Sequence, residues 1–424
     1  MVFHIDTDAP LNPPPDASFD PMRTPGLFDK LVIQLYSPLS DTPCGTCTYE
    51  RSVDEDLFAR GATMTVRGNV DRARVRLFRS VDRQNDDISL DTTLEMVVRL
   101  PRPPAEGAVH ASIELGTESV GNPVGKLDAP APVTLGAPSR SRVGTWGQAR
   151  RTPCKEAPRE GEVCIPGGAY FMGSKDRPDV KLDPYPLRQR LVVLSPFYLD
   201  SREVTQRAIA DWLTRTHRES KDVLVTWSAT SPFCTFQQPN EELPINCISK
   251  DAALEYCRSR GGTLPSEAEF EYAMSALTAL PYVWGSESPD CEWAVWDRGT
   301  GCGAPSSTGP FPWANTPERV GRDDLTVPTG GHVYDLVGNL SEMALDVASV
   351  EDDRCWSAPN SNVYINPVCT QPSADPELPP RSSMVRGGSF SSDLAVYLRA
   401  SHRGVRALDV TPPRIDIGFR CARH

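Results

Sequence analysis

Between Phe28 and Val120 the apolar residues fall in short bursts or near-alternation: Leu31-Val-Ile-Gln-Leu-Tyr36, Ala62-Thr-Met-Thr-Val66, Ala73-Arg-Val-Arg-Leu-Phe78, Leu94-Glu-Met-Val-Val-Arg-Leu100 and Ala111-Ser-Ile-Glu-Leu115. A period of two rich in β-branched residues predicts strands, and no convincing helical period interrupts them. Five or more such strands predict a small antiparallel, all-β, sandwich-like domain over residues 28–120. Residues 1–27, proline-rich from Pro10 to Pro25, are expected to form an extended tether before it. Residues 121–153 are rich in Pro, Gly, Ser and Ala, with Ala129-Pro-Ala-Pro132 at their centre, and read as an interdomain linker.

From Cys154 to His424 short strands mix with helices. Thr205 is a suitable N-cap for a helix whose Ala208, Ile209, Trp212 and Leu213 share one face. Residues 251–260 predict a second helix, closed by Gly261-Gly262. Ser266 opens a third, with Glu269 three residues on, the spacing of a capping box.

Charge and cysteine content narrow the class. A net charge of -12 with no basic patch argues against nucleic acid as a partner. No run approaches the roughly 18 to 20 apolar residues of a membrane span, so no transmembrane segment is expected. Ten of the twelve cysteines fall in sequence-local couples: Cys44/Cys47, Cys154/Cys164, Cys234/Cys247, Cys291/Cys302 and Cys355/Cys369. Disulfides are the natural reading, because a zinc site would need a second Cys-x-x-Cys half or flanking histidines. Persistent disulfides imply a periplasmic, secreted or envelope-attached protein. Met1-Val-Phe-His-Ile-Asp6 shows no basic region followed by an apolar one, so the expected signal peptide is absent from this sequence.

Seven blocks in the C-terminal part resemble the formylglycine-generating (sulfatase-modifying factor) family, in the family's order. They are Ile165-Pro-Gly-Gly-Ala-Tyr-Phe-Met-Gly-Ser174, Phe197-Tyr-Leu-Asp-Ser-Arg-Glu-Val-Thr205, Gly262-Thr-Leu-Pro-Ser-Glu-Ala-Glu-Phe-Glu-Tyr-Ala273, Val283-Trp-Gly285, Val333-Tyr-Asp-Leu-Val-Gly-Asn-Leu-Ser-Glu342, Val385-Arg-Gly-Gly-Ser-Phe390 and Ile417-Gly-Phe-Arg-Cys421. The resemblance implies a C-type-lectin-like α+β fold over residues 154–424, with little regular secondary structure. It also implies a bridge between Cys257 and Cys421, which in a chain-entropy model contributes on the order of 4 to 5 kcal/mol.

In oxidases of that family two thiols near the C-terminus bind copper and the substrate cysteine, and the spacing from Ser389 points here to Ser392 and Tyr397. Neither is cysteine, and copper(I) selects thiolate over a hydroxyl, so copper is not expected. Ser389, Ser392, Tyr397, Arg399, His402 and Arg403 line the segment that forms the family's cleft. Ser389, Arg399, His402 and Arg403 read either as polar groups that hold loops together or as a pocket for an anion, since a guanidinium grips carboxylate or sulfate in a fork. The six histidines show no His-x-x-x-His pair or two-His-one-carboxylate grouping.

Calcium fares better. The family builds one calcium site on a loop matched here by Tyr334 to Glu342, so the resemblance implies Asp335 and Glu342 as side-chain ligands and Gly338 and Leu340 as carbonyl ligands of one structural ion. The family's other calcium site begins at an Asn matched by Val295, and is expected to be empty. Trp residues that usually flank the loop glutamate are replaced by Ser341 and Met343. The expectation is an exported family member that does not make formylglycine and serves as a calcium-stabilised binding or accessory module for a protein, peptide or glycan. The alternative is a divergent oxidoreductase using non-haem iron or another metal.

Overall fold

The computed structural model describes residues 1–38, 40–66, 69–84, 87–102, 108–174, 188–224, 234–237, 240–289, 293–296, 323–350, 353–356, 362–376, 378, 382–407 and 414–424. The chain divides into two compact units. The first is Met1–Arg151 with Gln189–Val193 and Ala358–Tyr364; the second is Thr152–Arg188, Leu194–Ser357 and Ile365–His424.

Two four-stranded sheets build the first unit. One is antiparallel, in the order Thr48–Ser52, Lys30–Tyr36, Arg72–Phe78, Leu94–Arg99. Leu31, Ile33 and Leu35 stand opposite Leu77, Val75 and Ala73, and all six are buried, so cross-strand apolar pairs hold its centre. The other sheet runs Thr134–Leu135, His110–Leu115, Val2–Thr7, Ala62–Thr65, and its central pair is parallel rather than antiparallel. The expected strands are therefore present, but the purely antiparallel domain starting at Phe28 gives way to a mixed one that needs the first residues of the chain.

The expected tether and linker are likewise folded into this unit. Val2–Thr7 is an interior strand, Ala9 and Leu11 are fully buried, and the Pro10 carbonyl accepts from Leu27 N–H at 3.0 Å. Proline lacks a donor but keeps its carbonyl, so a proline-rich segment can lie along the rim of a sheet as an acceptor. Residues 121–151 are tied down in the same way. Val124 and Ala131 donate to the carbonyls of Glu95 and Val97 at 2.9 Å, and Arg151 donates to Met22 O at 2.8 Å.

In the second unit, Glu162–Ile165, Phe197–Asp200 and Ala422–Arg423 form a three-stranded antiparallel sheet. A second sheet has the order Gly404–Ala407, Ser382–Arg386, Ser341–Val347, Ile417–Gly418, with the last pair parallel. Three helices pack around them. Gln206–Thr216 is capped by the Thr205 hydroxyl, and Glu267–Met274 carries the full capping box between Ser266 and Glu269. Lys250–Ser259, capped by Ser249, starts one residue before the expected position. At Gly262 a Cβ would meet the Ala422 carbonyl at 2.4 Å, so the glycine lets the helix end close onto the last strand. Trp212, Tyr256 and Phe419 meet edge to face with centroids 5.6 and 5.8 Å apart, which joins two helices to the segment just before that strand in one core.

The described cysteines form Cys44–Cys47, Cys154–Cys164, Cys234–Cys247, Cys257–Cys421 and Cys355–Cys369. The expected Cys291–Cys302 pair lies outside the described residues. Cys257–Cys421 spans 164 residues and ties the second helix to the last strand. Replacing both by alanine is expected to lower the unfolding free energy by about 5 kcal/mol, seen as a lower denaturant midpoint; an unchanged midpoint would show the bridge to be dispensable.

Candidate functional site

The loop from Tyr334 to Glu342 is folded by left-handed residues: Asp335, Gly338 and Asn339 have φ of 52°, 87° and 55°. Only glycine fits at 338, where a Cβ would stand 2.6 Å from the Val295 carbonyl. Asn339 N–H donates to that same carbonyl at 2.8 Å, and Gly338 N–H donates to Gly387 O at 2.9 Å. Asn339 Nδ2 donates to Glu203 Oε2, and Leu340 N–H reaches Glu203 Oε1 at 3.1 Å. Val295 thus serves the loop through its backbone.

The far end of the loop meets Arg420, which is fully buried. Its Nε donates to both carboxylate oxygens of Glu342 at 2.9 and 2.8 Å, and Nη2 adds a bond to Oε1 at 2.6 Å. The same guanidinium reaches the carbonyls of Tyr334 at 2.9 Å, Asp335 at 3.2 Å and Asp200 at 3.3 Å. Burial pushes the Glu342 carboxyl up while Arg420 pulls it down. Both Glu342 oxygens are thus engaged by a cation of the protein. Of the two side chains that the resemblance implies as ligands, Glu342 is held by Arg420. Asp335 lies instead with Asp323 and Asp324, one oxygen of each within 4.8 Å of the others. Burial, then Asp324, pushes Asp335 up to about 7.

The cleft candidates form a second group. Gly388 has φ of 67° and its Cβ position faces both Tyr397 O at 2.9 Å and Ser392 Oγ at 3.3 Å, so the fold brings the two positions marked by the resemblance close to one glycine. Ser392 Oγ accepts from Ser389 N–H at 2.9 Å, and the Ser389 and Ser391 hydroxyls are 3.0 Å apart. The Tyr397 ring meets the His402 ring edge-on at 5.0 Å.

Arg403 is buried with its fork on Glu267: Nε to Oε1 at 2.6 Å and Nη2 to Oε2 at 2.9 Å, with Nη1 on Ser349 O at 2.9 Å. Arg386 joins the same network through Glu271 at 2.5 Å, Glu267 at 3.2 Å and the His402 carbonyl at 2.7 Å. Arg403 therefore grips a carboxylate of the third helix, and its reading as a loop-holding group prevails over that of an anion receptor. Arg399 follows the short helix Ala395–Leu398 and is partly exposed. Sequence reasoning missed Glu203, Arg420, Asp323 and Asp324. The first two lie inside the quoted blocks, where their position was the available signal.

The described geometry combines a helix-poor, sheet-rich domain with a left-handed loop clamped by a buried arginine. The model of the sulfatase-modifying factor enzyme 1-like domain matches residues 148–424, and the chain belongs to that family. The formylglycine-generating enzyme of Streptomyces coelicolor is 25% identical over 341 residues, 68% of this chain and 96% of that one. The mouse inactive C-alpha-formylglycine-generating enzyme 2 is 25% identical over 219 residues, 42% of this chain and 67% of that one. Among solved structures, PvdO from Pseudomonas aeruginosa aligns over 64% of this chain and 95% of that one, with 22% identity and a TM-score of 0.44.

Burial, aided by Arg386 and Arg406, pushes His402 down to about 3 from its ordinary 6.5. A buried neutral imidazole stabilises fully above 6.5, and that stability is lost as pH falls toward 3, because only the unfolded chain takes up the proton. Between pH 8 and pH 5 the native protein should lose about 2 kcal/mol more than His402→Gln, by denaturant titration. Parallel pH profiles would show that His402 is protonated in the folded state.

Proposed function

We propose that the chain is an exported, non-oxidising member of the family, acting as a binding or accessory module with calcium as its structural cofactor and a C-type-lectin-like arrangement of the C-terminal domain. One observation carries this reading. Where the resemblance calls for two thiols, the chain has Ser392 and Tyr397, whose hydroxyl and backbone carbonyl respectively lie near the Cβ position of Gly388, and the ten described cysteines are all bridged to one another. Copper(I) is soft and is held by thiolate sulfur; a serine hydroxyl cannot take that place. The disulfides favour an oxidising compartment, and among the described residues no helix is long and apolar enough to cross a membrane. A curated relative is itself named inactive. The clefts and loops then serve recognition of a protein, peptide or glycan, and the N-terminal sheets add a second surface.

Incubation of the aerobically purified chain with copper and a Cys-x-Pro-x-Arg peptide, the substrate motif of the family's oxidases, is expected to leave the peptide cysteine unchanged by mass spectrometry. Conversion to the aldehyde above the level of a protein-free control would overturn the reading.

A further inference from the structure

The histidines are spaced too far apart in sequence for a local metal motif, but folding brings two of them together. Val2–Thr7 and His110–Leu115 are neighbouring interior strands in parallel register, with Val2 beside His110 and His4 beside Ser112. The side-chain period of two therefore sets His4 and His110 on one face of the sheet, a single pleat apart. Phe3, Ile5, Ala111 and Ile113 fill the opposite, buried face, so both imidazoles stand at the surface. His4 Nε2 lies 2.8 Å from His110 Nδ1, and the rings stack with centroids 5.1 Å apart and planes 23° from parallel. A bond from Val2 N–H to Val109 O at 2.8 Å fixes the backbone at the start of this pairing.

A hydrogen bond between two exposed imidazoles only replaces bonds to water, so the pair gives it up at little cost. Neutral imidazole is also a ligand for first-row divalent ions, at about 2.0 to 2.1 Å from the metal. Two such nitrogens at a right angle around one ion stand roughly 2.9 Å apart, against roughly 3.3 Å at the tetrahedral angle. The observed separation of 2.8 Å matches the right angle. Tetragonal coordination by nitrogen and oxygen belongs to nickel(II) and copper(II), whereas zinc in protein sites prefers the tetrahedron. We infer that His4 and His110 chelate a divalent ion of tetragonal preference, nickel(II) or copper(II). Each ring then carries its proton on the far nitrogen, Nδ1 of His4 and Nε2 of His110. Thr63 and Ser112 flank His4 without charge, and Glu114 further along is paired with Arg142, so water fills the remaining positions. The site lies in the first unit, outside residues 148–424 of the family domain, and stands independently of the reading above.

The test uses the full, disulfide-bonded chain without an affinity tag, stripped with chelator and titrated calorimetrically with nickel(II) chloride in a non-coordinating buffer. Nickel keeps one oxidation state, which separates this site from the question of copper(I). One equivalent should bind, and zinc(II) chloride should bind more weakly. His4→Gln and His110→Gln should each weaken nickel binding at least about tenfold, because chelation by the second ring is lost. Both variants should melt without metal as the native chain does, and His110→Gln, at the more exposed position, carries the test if His4→Gln does not fold. Nickel binding that is absent, or unchanged in the variants, would overturn the site. Tighter binding of zinc than of nickel would overturn the right-angle geometry on which it rests.

Discussion

Arg420 is the group on which the C-terminal domain turns. Its guanidinium is buried from water and bonded to Glu342 and to three backbone carbonyls contributed by segments far apart in the chain. Removing such a cation would leave Glu342 charged and unpaired in the interior, which typically costs about 3 to 5 kcal/mol. The next residue, Cys421, is bridged to Cys257, so the last strand is fixed by a charge on one side and by sulfur on the other. The loop at 334–342 takes its shape against this anchor, and Asp335 is turned toward Asp323 and Asp324.

A second buried centre follows the same logic. Glu267, in the first turn of its helix, receives both Arg386 and Arg403, and Glu271 one turn on receives Arg386 again. Carboxylates at a helix N-terminus complement its dipole, and the two guanidiniums tie that helix to the strands that carry the Gly387-Gly388 turn. The cleft segment is thus tied to that helix by buried ion pairs.

Much of this was legible in the chain. Local signals, namely the Ser266 and Glu269 box, the Thr205 cap and the sequence-near cysteine couples, depend on neighbours a few residues apart and survive without tertiary knowledge. The family blocks located the domain. Less legible were Val2–Thr7 and residues 121–151, whose backbone is fixed by pairing with a strand about a hundred residues away or with the rim of a sheet. Proline-rich composition marks an inability to donate hydrogen bonds, and that is compatible with being packed. The charged centres were hidden for a related reason: Arg420, Glu203 and Asp323 read as surface residues until their partners, scattered over two hundred residues, are brought together.

The central claim is that sulfur has left the place where a soft metal would be gripped. The most direct measurement is a copper(I) competition between the full, disulfide-bonded chain and a coloured copper(I) chelator in the absence of oxygen. The account predicts that the chelator keeps its copper at every protein concentration. Withdrawal of one equivalent of copper by the chain, lost in a variant at Ser392 or Tyr397, would contradict it.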